Sequence, residues 1–505
     1  MATYQDHYQH SMQARADFWR EEASLIDWHQ PFEQVCDDSK LPFARWYVGG
    51  LTNICWNAVD RHLSNRAEQV ALNFISTETG LEVKYSYQDL YNEVNRTAGM
   101  LKTLGVGKGD RVLIYMPMIP QAVFAMLACL RIGVIHSVVF GGFAASSLAS
   151  RIDDASPKLI ISSDAGMRMG KTIAYKPLLD ESIRLANHKP DKVLLFNRGL
   201  APMETDATRD RDWDSMRLSH LNSKVPCVWL ESSEPSYILY TSGTTGKPKG
   251  VQRDTGGYAV ALTSSMRKIF DLQPGDTMFC TSDIGWVVGH SYIVYGPLLN
   301  GNTTIMYEGV PLRPDPAIWW KIVAENKVKT MFSSPTAIRV LKKQDPKYMT
   351  QYALPTLQYL FLAGEPLDEP TARWVSDSLG GVEIIDNYWQ TESGWPILAA
   401  QPGVENTPRK FGSPSFPVYG FDVKLVDDQT GELITEADKK GVLAIAPPLP
   451  PGAMSTVWGD DERFVKTYFS TIKDKKWYST FDWAIRDAEG YYFILGRTDD
   501  VINVA

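Results

Sequence analysis

The sequence predicts an α/β protein: two mostly parallel α/β subdomains followed by a smaller β-rich subdomain. Three observations carry this expectation. Short apolar runs alternate with longer segments of helical spacing, the rhythm of parallel strands joined by crossover helices. The alternation recurs along a chain of 505 residues, more than one ordinary core accommodates. After about Phe411 the texture changes: Pro and Gly rise, and short alternating runs such as FDVKLVDD and GVLAIA take over.

Residues 1–63 are rich in Trp, Tyr and His without strong periodicity, and are expected to pack as a segment on the main body. The paired α/β subdomains are assigned to 64–410 and the β-rich unit to 411–498. Leu90, Val94, Ala98 and Leu101 share one helical face, with Ser86 placed to cap its start and Gly105, Gly107 and Gly109 ending it. RVLIYM follows as a strand from Arg111, Pro120 opens an apolar helix ending near Gly133, and VIHSVVF and KLIISS are further strands. SYILYTS, TTIMYE, KTMFSS and LQYLFLAG repeat the pattern with helical stretches between them. No fixed-period repeat or low-complexity tract interrupts it.

A formal net charge of −8 argues against a nucleic-acid or anionic-membrane partner, though not against anionic substrates held by a local cluster of donors. The most apolar window, residues 122–143, is broken by Arg131, Gly133 and His136. It reads as a buried helix and strand, since a membrane span needs about 20 nearly unbroken apolar residues. The five cysteines, Cys36, Cys55, Cys129, Cys227 and Cys280, are scattered and form no CxxC. A disulfide framework or zinc site is not expected, and a reducing cytoplasm is. The opening MATYQDHYQHSMQARADFW has no apolar stretch of the secretory kind.

The strongest chemical signal is YTSGTTGKPKG, residues 240–250, which packs three glycines, four Ser/Thr hydroxyls and two lysines into eleven residues. Glycines expose backbone N–H groups, hydroxyls donate and lysines neutralise charge, which together make a phosphate cradle. Pro248 stands where a Walker A loop needs Ser or Thr, so it is not that motif. A plain flexible turn is the alternative, but a turn does not need this density of donors. DNYWQTE, residues 386–392, offers Tyr388 to stack on a base and Glu392 to hold a hard cation such as Mg²⁺; an aromatic-rich core turn is the competing reading. AGEPL, residues 363–367, ends a strand, where parallel sheets collect ligands. In YSTFDWA…GYYFILGRTDD, Asp482 and Arg497 are polar contacts for a ligand or, equally, surface and capping residues.

In combination and order, these motifs resemble the adenylate-forming superfamily of acyl-CoA synthetases, non-ribosomal peptide synthetase adenylation domains and luciferases. The resemblance covers nearly the whole chain. The aromatic-rich start, DIGWVVGHSYIVYGPL and YWQTE resemble the acetyl- and propionyl-CoA synthetase branch, its propionate-activating members above all. The resemblance implies the superfamily's N-terminal fold and three small-molecule partners: ATP, coenzyme A as cosubstrate and a short carboxylic acid, with Mg²⁺. By position, Thr241, Ser242, Gly243, Thr244, Thr245 and Lys249 hold the phosphates. Gly364, Glu365, Pro366 and Tyr388 frame the adenine, Asp386, Asn387, Trp389 and Gln390 lie in the same nucleotide stretch, and Asp482 and Arg497 hold the ribose. Thr391 contacts acyl or phosphate oxygens, Glu392 binds Mg²⁺, and Asp499 is a hinge. Thr241, Thr391 and Glu392 are the residues assigned to catalysis, and Arg168 and Lys171 match a stretch associated with the CoA nucleotide. Val287, Val288, Ala363 and Trp389 wall the acyl pocket. Acetate-specific relatives carry valine at the position of Ala363 and threonine at that of Val288, so propionate is expected ahead of acetate or butyrate.

The family continues past the hinge into a small C-terminal domain, whereas the apolar run GYYFILGRTDDVINVA ends at Ala505. Residues 499–505 therefore read as a hinge and a cut end, in a chain expected to keep nucleotide binding or a weak first half-reaction. Two other readings stay open. One is an adenylate-binding module without turnover. The other is an amino-acid-activating domain, which needs an acidic group for the amine, whereas GWVVGH offers apolar residues and His290, itself expected to be a packed structural histidine.

Overall fold

A computed structural model describes residues 3–241 and 247–499. Two eight-stranded sheets dominate it. The first runs, in spatial order, Asp210–Asp212, Lys192–Phe196, Leu159–Ser163, Arg111–Tyr115, Ile135–Val138, Pro235–Thr241, Lys249–Asp254 and Thr456–Val457. Its first six strands are parallel and the last two are added antiparallel. The second runs Leu398–Ala399, Glu383–Tyr388, Tyr359–Leu362, Val328–Ser333, Thr277–Cys280, Thr303–Glu308, Val70–Ser76 and Glu82–Ser86, parallel except at its two edges. A third, four-stranded sheet is wholly antiparallel: Asp422–Val426, Gly441–Ala446, Tyr478–Arg486 and Tyr492–Arg497. The expected class, two mostly parallel α/β units with a smaller β sheet, is the observed one.

Local chemistry accounts for the elements. Strands with fully buried runs such as Tyr359–Leu362 are shielded on both faces, hence their unbroken apolar character. Helix Tyr87–Thr103 starts at a reciprocal cap, Asp89 N–H donating to Ser86 Oγ and Ser86 N–H to Asp89 Oδ2, each at 3.0 Å. Leu90, Val94, Ala98 and Leu101 are its buried stripe. Pro120 sits at the start of helix Pro120–Arg131, where its missing N–H costs nothing.

Two parts differ from the sequence reading. The N-terminal segment holds two helices, Tyr4–Gln13 and Arg15–Ala23, seated by aromatics that keep one polar bond each. The hydroxyls of Tyr4 and Tyr8 donate to the carbonyls of Pro417 and Phe421 at 2.8 Å, and Trp46 Nε1 to that of Leu449 at 3.0 Å. Beyond residue 411 the chain is not one β unit: Thr456–Val457 returns to the first sheet, and helix Asp461–Tyr468 precedes the third sheet's long strand. Among the described residues, no helix is long and apolar enough to cross a membrane.

Candidate active site

A cavity of about 890 Å³ is lined by residues at or just past the carboxyl ends of strands from both large sheets. Parallel sheets expose their ligand-binding ends in this way. Phe140 follows strand Ile135–Val138 of the first sheet, and Gly166 lies on the short hairpin strand Ala165–Arg168 just beyond Leu159–Ser163; Thr281, Asp283, Ser333 and Ala363 end or follow strands of the second sheet. Eight sequence-predicted residues line it together: Arg168, Val287, Val288, Ala363, Gly364, Trp389, Gln390 and Thr391. Val287 and Ala363 are buried, while Val288 and Trp389 are half-buried. The indole of Trp389 packs edge-on to Tyr292, with ring centroids 5.5 Å apart.

The turn after strand Glu383–Tyr388 joins this cavity to the third sheet. Tyr388 donates its hydroxyl to Asp482 Oδ2, as does Gln390 Nε2 at 2.9 Å, and Tyr478 donates to Gln390 Oε1 at 2.8 Å. Asp482 and Arg497 are register partners on adjacent strands, their charged groups 3.8 Å apart. Burial raises the Asp482 carboxyl above its ordinary range, opposed by the Tyr388 hydroxyl and the Arg497 charge. Arg497 also binds Asp499 through two N–H groups at 3.0 and 3.1 Å. Tyr468, on helix Asp461–Tyr468, donates to Glu392 Oε1 at 2.7 Å, and the Lys249 ammonium lies 5.0 Å from the centre of the same ring. Burial lowers the Lys249 pKa, with the nearby Glu392 carboxylate opposing it.

Of the phosphate-loop residues, Thr241 ends strand Pro235–Thr241 with its hydroxyl buried and without a partner among the described residues. Ser242, Gly243, Thr244 and Thr245 lie outside the described residues. The far end of the loop is tied down by Arg463, which donates to the carbonyls of Lys247 at 2.8 Å and Pro248 at 3.0 Å.

Other predicted residues stand apart from the cavity lining. The Glu365 carboxylate is taken by the Thr336 N–H at 2.7 Å and by Arg339 at 2.8 Å, and Arg339 also donates to the Pro366 carbonyl at 3.0 Å. Asn387 donates to the Leu362 carbonyl at 3.1 Å, bridging two strand ends, and burial pushes the Asp386 carboxyl up to about 8. Lys171 is exposed, paired with Arg168 across a short hairpin. His290 is fully buried and burial pulls it down to about 4, consistent with a packed residue.

Residues 59–457 match the AMP-binding enzyme family, and residues 4–58 match the acetyl-coenzyme A synthetase N-terminus. The chain belongs to the AMP-binding enzyme family, in its acyl-CoA synthetase branch. It is 58% identical over 503 residues to a propionate–CoA ligase of Salmonella typhimurium, matching 100% of this chain and 80% of that protein. To a propionate–CoA ligase of Escherichia coli it is 57% identical over 503 residues, with the same coverage. To human mitochondrial acyl-CoA synthetase short-chain family member 3 it is 44% identical over 509 residues, covering 99% of this chain and 73% of that protein. The family's reaction is an AMP-forming acid–thiol ligation in which ATP and CoA are substrates.

Sequence reasoning missed several residues that shape this acyl-CoA synthetase site. Asp283, pushed up to about 6 by burial, lines the cavity with Trp286, Tyr175 and Phe140. Asp283 and Trp286 sit inside the DIGWVVGH stretch, so the motif contained the signal. Arg463 and Tyr468 had none: they enter from a helix more than 70 residues away in sequence from the loops they hold.

Proposed function

We propose that this synthetase activates propionate. In the first half-reaction a carboxylate oxygen attacks the α-phosphorus of ATP and the bond to pyrophosphate breaks, giving propionyl-adenylate. In the second the CoA thiol attacks the acyl carbon, its proton passes to solvent and AMP leaves. Such steps need positioning and charge neutralisation more than a protein nucleophile. Thr241, Lys249 and the loop between them bind the phosphates, the stretch from Gly364 to Pro366 with Tyr388 frames the adenine, and Asp482 with Arg497 binds the ribose. Arg168 receives the CoA nucleotide.

Mg²⁺ fits this donor set. Glu392, near Lys249, would offer one carboxylate, the share that Mg²⁺ takes from protein when phosphate oxygens supply the rest. The ion supplies positive charge against the phosphates. Tyr468, by donating to Glu392, orients that carboxylate.

The observation that carries the choice of acid is the wall made by Val287, Val288, Ala363 and Trp389 in a cavity that also presents Thr391. The wall is apolar; we take the small side chain of Ala363 to leave room for one carbon beyond acetate and the Trp389 indole to bound the acid. The similarity to propionate–CoA ligases supports the same reading. Acid-dependent ATP–pyrophosphate exchange with acetate, propionate and butyrate tests it, with CoA thioester formation followed by mass. Propionate is expected to give the highest kcat/KM; a maximum at acetate or butyrate overturns the assignment.

A further inference from the structure

Arg253, on strand Lys249–Asp254, is 0% exposed. Burying a guanidinium is costly unless its N–H groups are all engaged, and apolar side chains of similar volume often serve a core as well or better. Every hydrogen bond it makes among the described residues goes to an uncharged oxygen. One terminal nitrogen donates to the Thr391 carbonyl. The other donates to the carbonyls of Glu392 at 3.1 Å and Gly452 at 3.0 Å, and Nε donates to the Tyr237 hydroxyl at 3.3 Å. The rings of Tyr237 and Tyr258 lie 5.7 and 5.6 Å from the guanidinium carbon. This side chain therefore sits beneath the turn whose side chains are Thr391 and Glu392.

The turn is fitted to it. Gly394 has φ of +75°, and a Cβ there would lie 2.9 Å from the guanidinium carbon and 2.6 Å from the Gly452 carbonyl oxygen. The Gly394 carbonyl accepts from Ser291 Oγ at 2.7 Å, and that of Glu392 also accepts from Met454 N–H at 2.8 Å. Lysine, a point charge with no planar fork, cannot span the Thr391, Glu392 and Gly452 carbonyls at once.

We propose that Arg253 is a positioning residue for adenylation: by holding the main-chain carbonyls of Thr391 and Glu392, it fixes where those two side chains meet the phosphates and Mg²⁺. The inference rests on the roles given above to Thr391 and Glu392. Arg253 reaches neither substrate nor metal and acts through the turn.

The test is pyrophosphate exchange in Arg253→Lys and Arg253→Met, with AMP binding by calorimetry and thermal melting as checks on folding. Because misplacing reacting groups by about 1 Å costs up to about 100-fold, kcat is expected to fall about 10- to 100-fold. KM for propionate should change by less than about threefold, and the Mg²⁺ concentration for half-maximal rate should rise. Gly394→Ala presses on the guanidinium from the turn side while leaving Arg253 in place. It carries the same expectation, so poor folding of the methionine variant does not shelter the idea. Glu392→Gln separates the two layers of reasoning. If it leaves exchange intact, the reading of Glu392 fails whatever Arg253 does. If it lowers exchange, Arg253→Lys added to it should lower kcat by clearly less than it does alone, because the part of its effect that runs through the Glu392 carboxylate is already lost. Native-like melting with unchanged kcat in Arg253→Lys overturns the proposal, as does a loss that simply multiplies with that of Glu392→Gln.

Discussion

Replacing Ala363 by valine is the sharpest probe of the proposed acyl pocket. Ala363 is 7% exposed, follows strand Tyr359–Leu362, and donates its N–H to the Ser333 carbonyl at 3.3 Å, so its Cβ direction is fixed by backbone rather than by a rotamer. Valine adds two methyl groups at that fixed position, in a cavity whose lining also includes Val287, Val288 and Trp389. If those groups take the place of the propionate methyl, the least loss is the burial of one methylene, about 0.8 kcal/mol or roughly fourfold. If the substrate must be overpacked as well, the cost rises by about 1–3 kcal/mol, taking discrimination to between about 20- and 600-fold. The assay is kcat/KM for propionate and acetate in the same preparation. Their ratio should fall at least about fourfold, with acetate little affected. A stability loss lowers both values together and leaves the ratio alone, so thermal melting need not be unchanged for the experiment to be read. A ratio that stays put means Ala363 does not face the acid, and the choice of propionate over acetate loses its structural basis.

Trp389→Gly removes the indole proposed to bound the pocket and should raise kcat/KM for butyrate and pentanoate relative to propionate by about 10-fold or more; an unchanged chain-length profile places the floor elsewhere. Glu392→Gln keeps the acceptor for Tyr468 and deletes the charge, so exchange should fall about 100-fold while the melting temperature barely moves. Asp386 gives a pH prediction: its carboxyl is raised from 3.8 to about 8 in the fold. Between those values the unfolded chain has released the proton and the folded chain retains it, so stability falls as pH rises through the window and levels off above it. Asp386→Asn should flatten the melting temperature between pH 5 and pH 8; an equally steep profile in the variant assigns the slope to other groups.

The parallel strands were legible because each is short, apolar and bounded by its own turn signals: TTIMYE is observed as Thr303–Glu308 without adjustment. What hid was structure whose sequence signal is weak or divided. Helices Tyr4–Gln13 and Arg15–Ala23 carry few apolar residues: the first is seated by Tyr4 and Tyr8, and the anchors of the second, Phe18 and Trp19, are adjacent rather than helically spaced. Thr456–Val457 is two residues long and owes its place to pairing with Lys249–Asp254. The candidate site divides in the same way. Contiguous motifs announce Ala363 to Pro366 and Asp386 to Glu392, whereas Arg253 follows the glycine-rich loop as one charged residue among ordinary strand neighbours. Its significance lies in the carbonyls of a turn about 140 residues later, contacts that no local pattern encodes.

The proposed ribose site is likewise assembled from distant segments. Asp482 is 94 residues from Tyr388, and their bond forms only when the third sheet docks on the turn after Glu383–Tyr388. Its Oδ2 already accepts from Tyr388 and Gln390, while Oδ1 faces Arg497 at 3.8 Å, too far for a hydrogen bond. A ribose diol proposed to bind here therefore meets a carboxylate half satisfied by the protein and half left to a ligand. Tyr388 and Gln390 fix its orientation in advance, so the ordering cost is met on folding rather than on binding. The same two residues flank Trp389, the proposed floor of the acyl pocket. A shift of residues 388–390 would thus disturb nucleotide and acid together, whereas Arg253 holds the two residues that follow, Thr391 and Glu392, from beneath.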